Sequence, residues 1–114
     1  MTELPTGTIT FLFTDIEGST RLINDLGERY RALQDRHAEI IREAIAQEQG
    51  QEVRTEGDSF FVVFRTPAQA VRAAVSAQRR SAAEEPTHGV RIRVRMGLHT
   101  GRARREEATT SAST

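Results

Sequence analysis

The chain has no cysteine, no lysine and no tryptophan among its 114 residues. Without cysteine it can form neither a disulfide framework nor a thiolate metal site. It also lacks an apolar run of membrane-spanning length and a signal-peptide pattern, so we expect a cytoplasmic protein that does not contact a membrane. Its 16 basic residues, all arginine, balance 16 acidic ones. A net charge of zero provides no long-range field to attract nucleic acid or an anionic membrane.

The apolar pattern predicts a single α+β domain. Runs rich in β-branched and aromatic residues predict strands at 8–14, 52–55, 60–64 and 90–98, and the run at 60–64 is apolar throughout, which favours a central strand. Apolar residues at helical spacing predict three helices, at 19–26, from about 33 to 50, and at 67–80. This order predicts a ferredoxin-like βαββαβ fold, an antiparallel sheet with two helices on one face.

The residues that start and orient these helices follow from the same pattern. Ser19 or Thr20 is expected to cap the first helix, and Gly27 to interrupt the chain after it. In the third helix, the inner face is predicted to carry Val71, Ala74 and Val75.

The sequence pattern changes after Gly101. Residues 104–107 form a charge cluster, and residues 108–114 are small and polar, which is typical of disorder. We therefore expect a partial domain at 1–101 and a disordered or aberrant C-terminal tail at 102–114.

Two aspartates follow apolar runs that are predicted to be strands. Asp15 closes the run 9–13, and Asp58 follows Gly57 in a predicted hairpin turn. If these strands are neighbours, the two carboxylates meet at one edge of the sheet. Such pairs hold Mg²⁺ or Mn²⁺, which prefer oxygen ligands, and two ions can clamp an attacking and a leaving oxygen. The alternative is that Asp15 caps the following helix and Asp58 only forms the turn.

Three segments resemble the catalytic domain of class III nucleotide cyclases, the bacterial adenylate/guanylate cyclases. They are FTDIEGSTRL, RTEGDSFFVVF and VRMGLHTG, and the resemblance covers about residues 6 to 101. It implies conversion of ATP or GTP to a 3′,5′-cyclic nucleotide and pyrophosphate, in cyclic nucleotide signalling. It also implies that two Mg²⁺ or Mn²⁺ ions are held by Asp15, Asp58 and the backbone carbonyl of Ile16.

The resemblance also suggests where the nucleotide lies. The segment Glu17, Gly18, Ser19 and Thr20 would place N–H groups and a helix N-terminus beside the triphosphate, although simple helix capping explains it equally well. Arg54 occupies the position where adenylate cyclases of this kind carry a lysine that contacts adenine. Arginine presents a planar fork instead of a compact ammonium, so the choice between ATP and GTP stays open, and a solvated strand arginine is the alternative.

Other residues are given structural roles. A lone histidine at a strand end, His99, and one on the apolar stripe of a helix, His37, are more often packed than catalytic. The alternating residues Arg91, Arg93 and Arg95 are interpreted as the solvated face of a strand rather than as phosphate contacts.

Family members continue after GLHTG with a second base-reading residue, then an asparagine and an arginine that stabilise the transition state in a site between two protomers. The sequence after Gly101 has no counterpart of this segment. We therefore expect weak or no activity from the chain alone, and either a homodimer or a heterodimer with another cyclase domain. The alternatives are a non-catalytic nucleotide-binding or dimer-partner half-domain and, remotely, a small nucleic-acid-binding ferredoxin-like domain.

Overall fold

The computed structural model describes residues 7–86 and 89–103. The elements in chain order are β1 (Gly7–Ile16), α1 (Ser19–Leu26), a 3₁₀ turn (Gly27–Arg29), α2 (Tyr30–Gln47), β2 (Gln51–Glu56), β3 (Ser59–Phe64), α3 (Pro67–Ala83) and β4 (Val94–Ala103). No helix in the described part of the chain has the length and apolar character needed to cross a membrane.

The four strands form one antiparallel sheet in the order β2-β3-β1-β4. Strand β3 lies between β2 and β1, as its uniformly apolar sequence predicted. This order, with α2 and α3 packed on one face, is the ferredoxin-like α+β architecture expected from the sequence. The fold prediction is therefore confirmed.

The last strand differs from the prediction at both ends. Strand β4 begins at Val94 rather than at 90 and continues to Ala103, because it pairs with β1 along the whole length from Ile16 to Gly7. Residues 91–93 lie beyond the end of β1 and have no strand beside them. The segment GLHTG therefore lies within the sheet, and residues 102–103 of the predicted tail belong to β4. The rest of that tail, 104–114, lies outside the described residues.

The start of α1 also differs from the prediction. Neither Ser19 nor Thr20 caps it, because Gly18 is the N-cap residue, in a left-handed conformation with φ 68°, and no side chain caps the helix. Only glycine adopts this conformation readily, and here it turns the chain directly from the end of β1 into the helix. Gly27 ends α1 with φ 58°, as expected.

The main core lies between the sheet and the two long helices. It joins side chains of β1 and β3 to α2 and to an alanine row on α3: Leu12, Phe60, Val62, Phe64, Ile41, Ala44, Ile45, Ala70, Ala73 and Ala77. The small alanine side chains let α3 lie close to the sheet.

The predicted inner face of α3 is wrong for its two valines. Val71 is 48% exposed and Val75 is 42% exposed, whereas Ala74 does pack against the core. Both possible rows on this helix are apolar, so the sequence pattern alone could not choose between them. The row of smaller side chains faces the sheet because it allows the closer approach.

Candidate functional site

The fold brings Asp58 beside the residue that follows Asp15. Thr14 pairs with Phe60 across β1 and β3, so the same register continued by two residues places Ile16 opposite Asp58. The turn between β2 and β3 contains only Gly57 and Asp58, with Gly57 at φ 56°. The N–H of Ile16 donates a hydrogen bond of 3.0 Å to Asp58 Oδ2. Asp58 is thus hydrogen-bonded to the backbone of the residue that follows Asp15, and both aspartates lie at the same end of the sheet.

Asp15 is bound by an arginine that the sequence interpretation left in solvent. Arg95 Nε donates to Asp15 Oδ1 at 2.8 Å, and its Nη2 donates to Oδ2 at 2.7 Å. These two residues are direct partners in the register between β1 and β4. A guanidinium that spans both oxygens of a carboxylate is among the stronger and more directional ion pairs in proteins.

The three alternating arginines are all exposed, as the sequence interpretation expected, but they are not all free of contacts within the protein. Arg91 donates to the backbone oxygens of Ala82 and Glu84, at the end of α3, and Arg95 is paired with Asp15. Two of the three are therefore engaged within the protein. These contacts leave fewer arginine donors on this face for phosphate groups, which gives the nucleic-acid interpretation no added support.

Two side chains of α2 lie close to Asp58, and sequence analysis missed one of them. The Tyr30 hydroxyl is buried and has no hydrogen-bond partner within the described residues. Burial, and secondly the Asp58 carboxylate, raise the pKa of Tyr30 to about 12. His37 lies seven residues after Tyr30, two turns along the same face of α2. This helical spacing is the sequence signal that could have identified Tyr30.

His37 is a packed histidine, as predicted. It is 2% exposed, its ring meets Phe60 edge-on at 5.9 Å, and neither ring nitrogen has a hydrogen-bond partner within the described residues. Burial lowers the pKa of His37, and the nearby Asp58 and Asp15 oppose that shift only in part. The neutral imidazole is thus the stable form in the folded protein near neutral pH.

The predicted triphosphate cradle is only partly available. The N–H of Glu17 donates to the carbonyl of Arg93 at 2.8 Å, so it is already used within the protein. For Ser19 and Thr20 no N–H hydrogen bond is found within the described residues, and Gly18 brings no side chain to cover them. These first-turn amides of α1 remain open to an anion.

Arg54 lies on the sheet face that carries Asp15. Its guanidinium stacks over the ring of Phe61 at 4.6 Å and lies 3.8 Å from a carboxylate oxygen of Glu56. The neighbouring ring on β1 is Phe13, 4.9 Å from Phe61 and two residues before Asp15. Arg54 is therefore held by an aromatic ring rather than fully solvated, and its contact with a base stays a prediction.

His99 also lies on this open face, in an exposed position stacked on Phe11 at 6.3 Å. It extends the aromatic row along β1. Its partner Phe11 lies four residues before Asp15 on the same strand face, so His99 is well separated from Asp15. Because β4 continues to Ala103, His99 lies within the strand and not at its end, and its structural role stays a prediction.

The paired aspartates fit a hard divalent cation. They supply carboxylate oxygens, and within residues 7–86 and 89–103 there is no group of three or more His, Cys, Asp or Glu side chains that could hold a metal ion. Mg²⁺ is commonly bound in this way, by one or two carboxylates with the remaining ligands from water and substrate phosphates. The donor set is therefore chemically suited to such a cation.

Two carboxylates at one end of an antiparallel α+β sheet define a candidate cation site. The sequence matches the family described as the adenylate and guanylate cyclase catalytic domain over residues 1–106. The chain belongs to this family.

Individual relatives agree with the family assignment. The chain is 40% identical over 74 residues to an adenylate cyclase of Lachancea kluyveri, a match that covers 65% of this chain and 4% of that protein. It is 37% identical over 99 residues to an uncharacterized protein of Mycobacterium tuberculosis, covering 85% of this chain and 32% of the relative.

Among solved structures, the chain resembles an adenylate cyclase from Trypanosoma brucei in its monomeric state, with a TM-score of 0.78 and 26% sequence identity. That match covers 88% of this chain and 58% of the other. The chain thus spans less than two thirds of the length of each of these relatives.

Proposed function

We propose that this chain supplies the metal-binding part of a nucleotide cyclase site, which converts ATP or GTP to a 3′,5′-cyclic nucleotide and pyrophosphate. The observation that carries the proposal is the hydrogen bond from Ile16 to Asp58, since it fixes Asp58 beside Asp15 at one sheet edge. When bound there, two Mg²⁺ or Mn²⁺ ions would favour the ribose 3′-oxygen as nucleophile and neutralise charge on the phosphates.

In this proposal the chain's residues bind and orient the cations and the nucleotide, and none of them forms a covalent bond with the substrate. Asp15, Asp58 and the carbonyl of Ile16 hold the cations, with Asp58 oriented through the oxygen that accepts from Ile16. The open amides of Ser19 and Thr20 lie at the positive end of α1 and receive phosphate oxygens. The reaction forms a bond between the 3′-oxygen and the α-phosphorus, breaks the bond from that phosphorus to pyrophosphate, and releases the 3′-hydroxyl proton to solvent.

Arg54 is proposed to approach the base. It is preorganised by its stacking on Phe61, on the same sheet face as Asp15. Its fork donates to acceptor atoms only, so it favours a base edge that presents oxygen or ring nitrogen. Measuring the ratio of ATP to GTP use in Arg54→Lys tests this role, since a compact ammonium should change the ratio.

We further propose weak or no turnover by these 114 residues alone, and a composite site with a second cyclase domain. The support is that the resemblance places the transition-state residues after the GLHTG segment, in a part of the family domain that these residues do not match. A homodimer or a heterodimer would join the Asp15 and Asp58 edge to residues of a second domain.

The experiment measures cyclic AMP and cyclic GMP formed with Mn²⁺ and either ATP or GTP. The chain is assayed alone and mixed with an intact family domain whose own metal aspartates are replaced by alanine. We expect the mixture to form much more product than the chain alone, and only when Asp15 and Asp58 are present, with Glu39→Ala as a surface control. A folded, associated mixture that forms no product would overturn the composite site.

A non-catalytic role as a nucleotide-binding or dimer-partner module is the second candidate. The observation that favours it is that both oxygens of Asp15 are already paired with Arg95. Nucleotide binding or association with a cyclase domain, without product in the mixture, selects this candidate.

A further inference from the structure

We propose that Arg95 competes with the metal for Asp15, so that a divalent cation binds this edge only by displacing the guanidinium. The inference rests on the proposed function, because it takes Asp15 as a metal ligand. It adds a property of this chain: its affinity for metal is set by an internal counter-ion as well as by the two aspartates.

The pair of Arg95 and Asp15 has a geometry that excludes a cation from the same position. The guanidinium spans both carboxylate oxygens, at 2.8 Å and 2.7 Å, and so occupies the edge of Asp15 on which a cation would bind. Mg²⁺ sits about 2.1 Å from a carboxylate oxygen. A cation at that distance would lie only a few ångströms from the positive guanidinium, and like charges this close repel strongly.

Of the two partners, Arg95 is the one that can move. Asp15 is held in β1 and its side chain is only 14% exposed, whereas the Arg95 side chain is 61% exposed. A long, exposed arginine side chain can rotate away into water without disturbing the sheet. The exchange of Arg95 for a cation therefore needs only a change in the Arg95 side chain, and the Asp15 carboxylate keeps its position.

The charges at this edge also favour the exchange. Three acidic residues, Asp15, Glu17 and Asp58, lie near Arg95, and Arg95 is hydrogen-bonded to the first of them. Arg95 thus serves as the cation that offsets the acidic groups when no metal is bound. Asp58 differs, because within the described part of the chain one of its oxygens accepts from the neutral N–H of Ile16 and no arginine is paired with it. We therefore expect a cation to engage Asp58 first and Asp15 only as Arg95 leaves.

The test measures Mn²⁺ binding to the whole chain without nucleotide, by calorimetry or by the Mn²⁺ resonance signal. Arg95→Gln should lower the dissociation constant about tenfold, the effect expected for removing one charge-assisted competing pair. Arg93→Gln removes the same formal charge two residues away and should change it less than about twofold. Arg95→Lys keeps the charge but cannot span both oxygens of Asp15. Its dissociation constant for Mn²⁺ should therefore lie between those of Arg95→Gln and Arg93→Gln.

A second readout follows Arg95 itself. The Nε–H resonance of Arg95 should move toward that of a solvent-exposed arginine as Mg²⁺ is added, and it should not move in Asp58→Asn at the same concentrations. If Arg95→Gln does not fold, the titration of the wild type with Mg²⁺ and the Mn²⁺ affinity of Arg95→Lys test whether a cation displaces Arg95.

The outcomes separate the competition from the metal site. Equal affinities for Arg95→Gln and Arg93→Gln, with binding abolished by Asp15→Asn, would overturn the competition and leave the metal site intact. Binding that is insensitive to Asp15→Asn, or no binding in any variant, would overturn the metal site and the competition together.

Discussion

The N–H of Ile16 donates to Asp58 Oδ2 over 3.0 Å, between residues 42 positions apart in the sequence. Because Ile16 directly follows Asp15, this one hydrogen bond sets the relation between the two carboxylates. It arises from the register of β1 and β3 and from a two-residue turn, so the candidate site is built into the fold before any ligand binds.

Replacing Asp58 in two ways separates its hydrogen bond from its charge. An Asp58→Asn side chain can still accept from Ile16, whereas Asp58→Ala cannot, so we expect only the alanine variant to lose about 1–2 kcal/mol of unfolding free energy. Both variants should lose Mn²⁺ binding, since both lose a carboxylate. Urea unfolding and a Mn²⁺ titration measure these effects. Equal destabilisation by both substitutions would show that charge, not the hydrogen bond, holds the turn.

Gly50 is predicted to be intolerant of any side chain. A Cβ built there would lie 2.6 Å from a ring carbon of Phe64 and 2.8 Å from Cγ2 of Ile45. Both neighbours are packed in the core, so Gly50→Ala should lower stability by about 1–3 kcal/mol through overpacking. Gly97→Ala is the control, because no heavy atom lies within 4 Å of a Cβ at that site. Thermal unfolding of both variants compares them directly, and similar losses would contradict this account.

The orientation of α3 can be tested at two neighbouring positions. Ala73 is fully buried against the sheet, so Ala73→Leu should cost about 1–3 kcal/mol of unfolding free energy. Val71 is 48% exposed, and Val71→Ala should change stability by no more than about 0.5 kcal/mol. Chemical denaturation measures both. The opposite ranking would mean that the valine row faces the sheet, as the sequence pattern suggested.

Periodicity was enough to predict the order of strands and helices, because each buried face repeats every two residues in a strand and about every 3.6 in a helix. The position of each aspartate at a strand end was enough to predict that both lie at the same end of the sheet. The pairing of Arg95 with Asp15 was not predictable, because it depends on the register of two strands that lie 80 positions apart. The rotation of α3 also escaped prediction, since it depends on side-chain size rather than on polarity.

His37 should make the stability of the fold depend on pH. Burial lowers the pKa of this ring below its usual 6.5, so the folded state keeps it neutral while the unfolded state binds a proton. Stability is therefore fully present above about pH 6.5 and falls as the pH drops below it, by at most about 1.4 kcal/mol per pH unit.

Urea unfolding between about pH 7.5 and pH 5 measures this loss of stability. The wild type should show it, and so should the control variant His99→Gln, which replaces an exposed histidine. In His37→Phe, which fills the same space without a titratable group, the dependence should be weaker. An unchanged pH profile in that variant would mean that other groups, and not the buried imidazole beside Phe60, control the acid sensitivity of the fold.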